Sequence, residues 1–289
     1  MRARRRLFHY ALLGVLSLVF LGPLLFMISA SFKPDEQIFE DLQSFRAFVP
    51  VGDITLDNYR AVFEQSRLLL YFLNSSIIAI VTVVFGVIVN SMCAFGLQRV
   101  RWTGQSFIVA LILALLVIPF EVLAIPLMMI VSQLPWIAWH NGELTLLGSW
   151  FNSLHVQIIP FLGNAFCIFL FYQFFKDIPT DLDDAARMDG ASLWQIYWRI
   201  LMPNAKPVIA TASIILFLIM WNQYLWPILV IQGQDTRPIM VGIQQFFGRT
   251  LVWGQIMAYA TIVTLPVLAV FVFFQRRFVQ SVANTGLKG

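Results

Sequence analysis

The side chains best equipped for chemistry in this sequence are few and scattered. Glu121 is the one acidic residue inside an apolar run, set between Pro119 and Pro126. A carboxyl in such a place serves either as a neutralised proton carrier or as a polar residue at a kink or gate, and the flanking prolines favour the second. His9, His140 and His155 are too far apart in the chain to form a metal set, and Cys93 and Cys167 have no Cys or His near them at ligand spacing, so packing is their expected role. Asp181 and Asp183 have the spacing of a metal-binding Asp-x-Asp, but they stand where a helix begins, and capping accounts for them. The chain has no Gly-Lys-Ser/Thr phosphate loop and no His-Glu-x-x-His, so it is not expected to be its own ATPase, a zinc hydrolase or any other enzyme.

Two clusters remain. The first is the segment 176–207, KDIPTDLDDAARMDGASLWQIYWRILMPNAKP. Thr180 is placed as an N-cap with Asp183 three residues on, and Leu182, Ala185, Ala186 and Met188 follow on a short helix that Gly190 ends. Ser192 and Gln195 have capping-box spacing; Leu193, Ile196, Tyr197 and Ile200 recur at i, i+3, i+4 and i+7; Pro203 and Pro207 close the element. A helix, glycine turn and helix this regular needs a surface to pack against, either the membrane or its own bundle, or a cytosolic protein. The second cluster is WNQYLWPIL at 221–229, where Asn222, Gln223 and Tyr224 lie between Trp221 and Trp226 inside an apolar run. Polar groups there either line a solute path or bond across helices around a break at Pro227.

The elements that must hold these clusters belong to a membrane protein. Hydrophobic residues make up 59% of the chain and charged ones 12%, and the mean hydropathy is +0.78; no water-soluble class has that balance. Six apolar stretches, near 8–31, 70–97, 106–131, 154–175, 208–231 and 254–275, are each long enough to cross about 30 Å of hydrocarbon as helix, and they are continuous rather than alternating, which excludes a barrel. The first follows the basic run RARRR but is longer than a secretory core and lacks a small-x-small cleavage site, so it reads as a retained helix. With the N-terminus in the cytoplasm, 13 of the 19 Lys and Arg residues fall in inside segments; the basic balance therefore reports topology, not a nucleic-acid partner. Both termini and the loop 176–207 are then cytoplasmic. The outer loop 32–68 carries seven acidic residues and a PVGDITLDNY stretch with turn and short-strand character, and offers a contact for an external partner; the outer connection 133–150, rich in Trp and Gly, suits the membrane interface. The expected fold is all-α, with six transmembrane helices, divided into 1–69 (first helix and outer loop) and a core 70–289.

DAARMDGASLWQIYWRILMP resembles the EAA loop of the permeases of binding-protein-dependent ATP-binding-cassette importers: Glu-Ala-Ala, three residues, Gly, nine residues, Ile, one residue, Leu-Pro. Asp184, Ala185, Ala186, Gly190, Ile200, Met202 and Pro203 occupy those positions with the spacing intact, Asp184 standing where Glu is usual and Met202 where Leu is usual. WNQYLWPIL is similar to the fifth-span signature of the carbohydrate branch, with Gln223 replacing an acidic residue; IPFEVLAIPL, LFYQFFKDIP and the ending QRRFV…GLKG look like the same branch, which resembles maltose and glycerol-3-phosphate permeases. The resemblance implies a subunit that opens a path for a sugar or polyol across the bacterial cytoplasmic membrane. It implies a homologous second permease, two cytosolic ATPase subunits that bind ATP and Mg, and an extracytoplasmic solute-binding protein as partners, with no cofactor on this chain. The first helix of the loop would be the coupling helix, with Asp184, Ala185, Ala186, Asp189, Gly190, Ile200 and Pro203 as coupling residues and Gly190 as its hinge. Trp221, Asn222, Gln223, Tyr224, Trp226 and Glu121 would be the candidates for the solute path. The rival is a secondary carrier or channel that needs no ATPase, and such carriers couple through intramembrane ionisable groups, of which Glu121 alone is present.

Overall fold

The computed structural model describes residues 2–100, 102–140, 143–248 and 251–286. Helix dominates, as a chain in hydrocarbon requires. In order these are α1 (Arg2–Ala30), α2 (Asp35–Asp41), α3 (Asp57–Gln65), α4 (Leu68–Arg99), α5 (Gln105–Leu115), α6 (Phe120–Gln133), α7 (His155–Ile158), α8 (Ala165–Asp177), α9 (Asp181–Met188), α10 (Leu193–Ile196), α11 (Met202–Asn204), α12 (Lys206–Trp221), α13 (Leu225–Val230), α14 (Ile239–Gly242) and α15 (Trp253–Gly286). Four helical stretches are long and apolar enough to cross a membrane unbroken, namely Phe8–Ala30, Leu68–Arg99, His155–Asp177 and Trp253–Phe274, and the count rises to six when each of two bent pairs is taken as one span.

One of those pairs corrects a sequence expectation. The run 106–131 reads as one continuous helix, yet α5 and α6 meet at 107°. Pro119 causes the turn: it brings no N–H to continue α5 and restricts Ile118 to extended backbone, so α6 restarts behind it. The other pair is Leu193–Asn204 with α12, which meet at 81°, and the fifth apolar run is interrupted again beyond Trp221, between α12 and α13. A second difference is the outer connection after α6, where β1 (Trp136–His140) and β2 (Glu143–Leu147) pair as an antiparallel hairpin with Trp136 opposite Leu147. It is the one sheet among the described residues of an otherwise helical chain.

Two compact units divide the chain: Met1–Leu70 with Gly242–Leu268, and Tyr71–Val241 with Ala269–Gly289. The stretch PVGDITLDNY, expected to have turn and short-strand character, forms no strand: it runs irregularly through a turn at Gly52, φ 92°, until α3 begins at Asp57 and buries Asn58 and Val62 one turn apart. Polar contacts fix the loop. Lys33, 1% exposed, donates from Nζ to Asp41 Oδ2 at 2.9 Å and to the Arg46 carbonyl at 2.6 Å. Asn58 Nδ2 donates to the carbonyls of Ser31 and Lys33. The carboxylate of Asp35 accepts from the backbone N–H groups of Trp253 and Gly254, capping α15 from another part of the chain.

The second unit has its main core where α4, α8 and α12 meet, with Val87, Ala94, Cys167, Phe171, Phe175, Leu201, Val208, Ala212 and Leu216 buried together. Asn90, fully buried on α4, ties the start of α8 to this core: its Nδ2 donates to the Leu162 carbonyl at 3.0 Å and its Oδ1 accepts from Asn164 N at 2.7 Å. Asn164 in turn caps α8 through Cys167 N.

Candidate functional site

α9 begins after Pro179 and ends at Gly190. Thr180 occupies the N-cap position but has helical dihedrals, φ −68° and ψ −21°, and its side chain caps nothing. At the other end the chain closes as the glycine predicts: Gly190 has φ 81°, its N–H reaches the Arg187 carbonyl and the Ala191 N–H reaches the Ala186 carbonyl, the two bonds of a Schellman motif. Ser192 and Gln195 then form the expected capping box, each side chain accepting from the other's backbone N–H. α10 leads into a π turn over Tyr197–Leu201 before α11, a distortion that the i, i+3, i+4 pattern does not disclose. Tyr197, buried, bonds Ser91 of α4 at 2.7 Å, and its ring meets those of Trp194 and Trp198.

The surfaces of α9 are unequal. Asp184, Ala185, Arg187, Met188, Asp189 and Gly190 are exposed, Met188 to 88%, and Ala186 is half-buried. Asp183 is the one fully covered residue of the helix, at 4%. Sequence reasoning gave Asp183 to the cap, and the structure overturns that: its carboxylate turns inward to Arg99, the last residue of α4, with Oδ2 and Nε 3.0 Å apart. Burial pushes the Asp183 carboxyl above its ordinary range, Asp184 adds to that, and Arg99 and Arg187 oppose it. The missed signal was the pairing of a basic residue at one helix end with an acid that a three-residue pattern had already explained. Further along, Ile200 is half-buried and Pro203 exposed.

The fifth span breaks at the second cluster. α12 ends at Trp221, Asn222 stands at φ −91° and ψ 5°, and α13 starts at Leu225. The freed backbone is satisfied locally, with Asn222 N bonded to the Leu218 carbonyl and Gln223 N to that of Met220, while Asn222 Nδ2 also donates to Leu218. The structure separates the six candidates into two groups. Trp221 and Trp226 are buried: Trp221 packs on Phe72 and Phe217, and Trp226 sits between Phe120 and Phe161 while its Nε1 donates to the Val156 carbonyl at 2.9 Å. Asn222 and Tyr224 are exposed and Gln223 half-exposed at the break. Glu121, also exposed, is the neighbour of Phe120 in the first turn of α6, so the ring cluster around Trp226 sets the start of α6 beside α13, the restart of the fifth apolar run. Among the described residues no group of three or more His, Cys, Asp and Glu side chains could hold a metal ion.

A model of the family described as "binding-protein-dependent transport system inner membrane component" matches residues 82–284. The chain is 32% identical over 287 residues to the lactose transport system permease protein LacG of Rhizobium radiobacter, covering 98% of this chain and 97% of that one. It is 29% identical over 271 residues to the arabinooligosaccharides transport system permease protein AraQ of Halalkalibacterium halodurans, covering 92% and 91%. Among solved structures it is similar to a chain of a bacterial ABC transporter involved in the import of the acidic polysaccharide alginate, with a TM-score of 0.76, 22% identity and coverage of 96% and 98%.

Proposed function

The chain belongs to the family of inner-membrane components of binding-protein-dependent transport systems, and from that premise we propose that it is the permease of a carbohydrate importer whose ATP is hydrolysed by separate cytosolic subunits coupled through α9. It is a multi-pass membrane protein, and the distribution of Lys and Arg supports cytoplasmic termini. The lactose and arabinooligosaccharide permeases to which it is similar support a sugar or oligosaccharide as cargo. A solute-binding protein on the outer side and a second, homologous permease complete the assembly, while ATP and Mg belong to the ATPase partners.

The observation that carries this reading is the bareness of α9. A short helix with one buried side chain has almost no packing energy of its own, since isolated helices of this length are unstable in water. Asp184, Ala185, Ala186, Asp189 and Gly190 are thus a face awaiting a partner, Ile200 and Pro203 lie on the stem that returns to the membrane, and Asp184 supplies a charge for a hydrogen-bonded contact. At the break, Asn222, Gln223 and Tyr224 offer amides and a phenol to sugar hydroxyls. Irregular backbone at membrane depth is tolerated where it is covered by protein or lines a wet cavity. Trp221, Trp226 and Phe120 support that break from behind, and Glu121 lies at the adjoining bend.

The test is a Met188→Cys variant co-purified with its neighbouring-gene ATPase and treated with a bifunctional thiol reagent. A crosslink to the ATPase is expected; a helix that labels from lipid alone, with no nucleotide-hydrolysing protein bound, overturns the assignment. Uptake of radiolabelled saccharides by the reconstituted complex then identifies the cargo, and uptake that persists without any ATPase would favour the secondary carrier.

A further inference from the structure

Arg99 performs three tasks with one guanidinium. It ends α4 with its side chain 3% exposed. One terminal nitrogen donates to the carbonyls of Phe175 at 2.9 Å, which also accepts the Ile178 N–H, and of Ile178 at 2.7 Å, the residue that caps the C-terminus of α8. Its Nε faces Asp183 of α9. The two kinds of contact differ in direction. The bonds to α8 are aligned and fix the guanidinium to that helix. The Nε and Oδ2 atoms are close without the alignment of a hydrogen bond, and Asp183 Oδ1, also buried, has no hydrogen-bonding partner among the described residues. Charge attraction is insensitive to angle, so α9 has freedom to rock about Asp183 without leaving Arg99.

We propose that Arg99 and Asp183 form the mechanical joint through which movement of α9 reaches the spans α4 and α8, making both of them positioning residues for coupling. The proposal rests on the reading of α9 as the element that engages the ATPase. Three facts favour a joint over a simple brace. Asp183 is the one buried residue of α9; the chain on either side is an extended link through Ile178 and Pro179 and a glycine turn at Gly190; and the arginine is shared between two spans rather than one. Lysine could keep the charge at position 99 but not the fork that reaches α8 and α9 together.

The experiment uses the whole complex, permeases, ATPases and solute-binding protein, in proteoliposomes, and measures solute imported per ATP hydrolysed. Arg99→Lys and Asp183→Asn are expected to co-purify with the ATPase and to lower that ratio about tenfold, inside the 5–150-fold range of ordinary coupling energies; Asp183→Glu is expected to retain it. Because Asp183→Asn strands the buried Arg99 charge and so endangers folding, the double variant Arg99→Met with Asp183→Leu is the decisive form: no charge is orphaned, and the tether is gone. It is expected to assemble, hydrolyse ATP and import poorly. Import per ATP at the wild-type level in that assembled double variant overturns the joint, as does a loss in Asp183→Glu equal to that in Asp183→Asn. The Met188→Cys crosslink in the otherwise unaltered complex separates the two failures, since it reports whether α9 meets the ATPase whatever the pair does.

Discussion

Gly190 is the position where a small change should have a large and calculable effect. Its φ of 81° is a conformation that costs an L-residue with a Cβ about 1–2 kcal/mol, and this alone lowers the population of the closed Schellman turn by a factor of about 5–30. A Cβ added there would meet no atom within 4 Å, so no steric collision inside the chain adds to the cost. The penalty is purely one of backbone geometry. Three substitutions should therefore rank by their tolerance of left-handed backbone: Asn close to wild type, Ala intermediate, Val lowest, because β-branching makes that region a severe outlier. The assay is initial uptake and ATP hydrolysis by the same proteoliposomes. Gly190→Val is expected to keep hydrolysis while import falls by the factor above or more, and Gly190→Asn to keep both. A Val variant that imports normally, or an Asn variant as impaired as Val, refutes the reasoning, the second because it would show that side-chain bulk at the partner surface and not the turn is what matters.

Three further outcomes follow from the packing. Trp226→Phe removes the bond to the Val156 carbonyl while keeping most of the ring, and should lower thermal stability of the detergent-solubilised protein by about 1–3 kcal/mol, the cost of a buried acceptor left unpaired; no change would show that water replaces the indole. Gly254→Ala places a Cβ against the side-chain amide of Asn58, which itself holds the Ser31 and Lys33 carbonyls, so a loss of about 1–3 kcal/mol is expected in the same melt. Lys33 and its hydrogen bond hold the Asp41 carboxyl below its ordinary range, followed by smaller help from Gln37 and Arg46 against a burial effect of opposite sign. A depressed pKa contributes stability that is complete above the unfolded value of about 3.9 and is lost as pH falls through the lower folded value. Limited proteolysis of the outer loop should thus accelerate below about pH 4 in the wild type, and Asp41→Asn should be cleaved faster at neutral pH with a flatter acid response.

How much of this could be read from the residues depends on the range of the interaction. The apolar runs declare themselves because each needs only its own composition, and the spans at Phe8–Ala30, Leu68–Arg99, His155–Asp177 and Trp253–Phe274 fall close to where hydropathy puts them. Gly190 and the Ser192–Gln195 box were legible for the same reason, being complete within a few residues. The 107° bend at Pro119 was not, although the proline was noticed, because composition records a breaker without recording the angle. The β-hairpin at 136–147 was hidden by its Trp and Gly content, which fits an interfacial loop equally well. Asp183 was misassigned since a local explanation, capping, satisfied the pattern while its true partner is 84 positions away at Arg99. At the fifth-span cluster the sequence expected a break at Pro227, yet the chain breaks at 222–224 and Pro227 sits inside α13; Trp221 and Trp226 were also treated as equals of Asn222 and Tyr224, and only burial separates the two that hold the break from those that face outward. The closing stretch GLKG lies partly outside the described residues, at 287–289.

The scant attachment of α9 has an engineering corollary. Because its outward residues contribute little to the folding of the permease, Asp184, Arg187, Met188 and Asp189 form a surface that can be rewritten without remaking the scaffold beneath it. On the proposed docking of α9 to a cassette ATPase, a foreign one would be fitted to this permease by altering those side chains alone, provided that Asp183 and Gly190 are left in place to keep the helix seated and correctly turned.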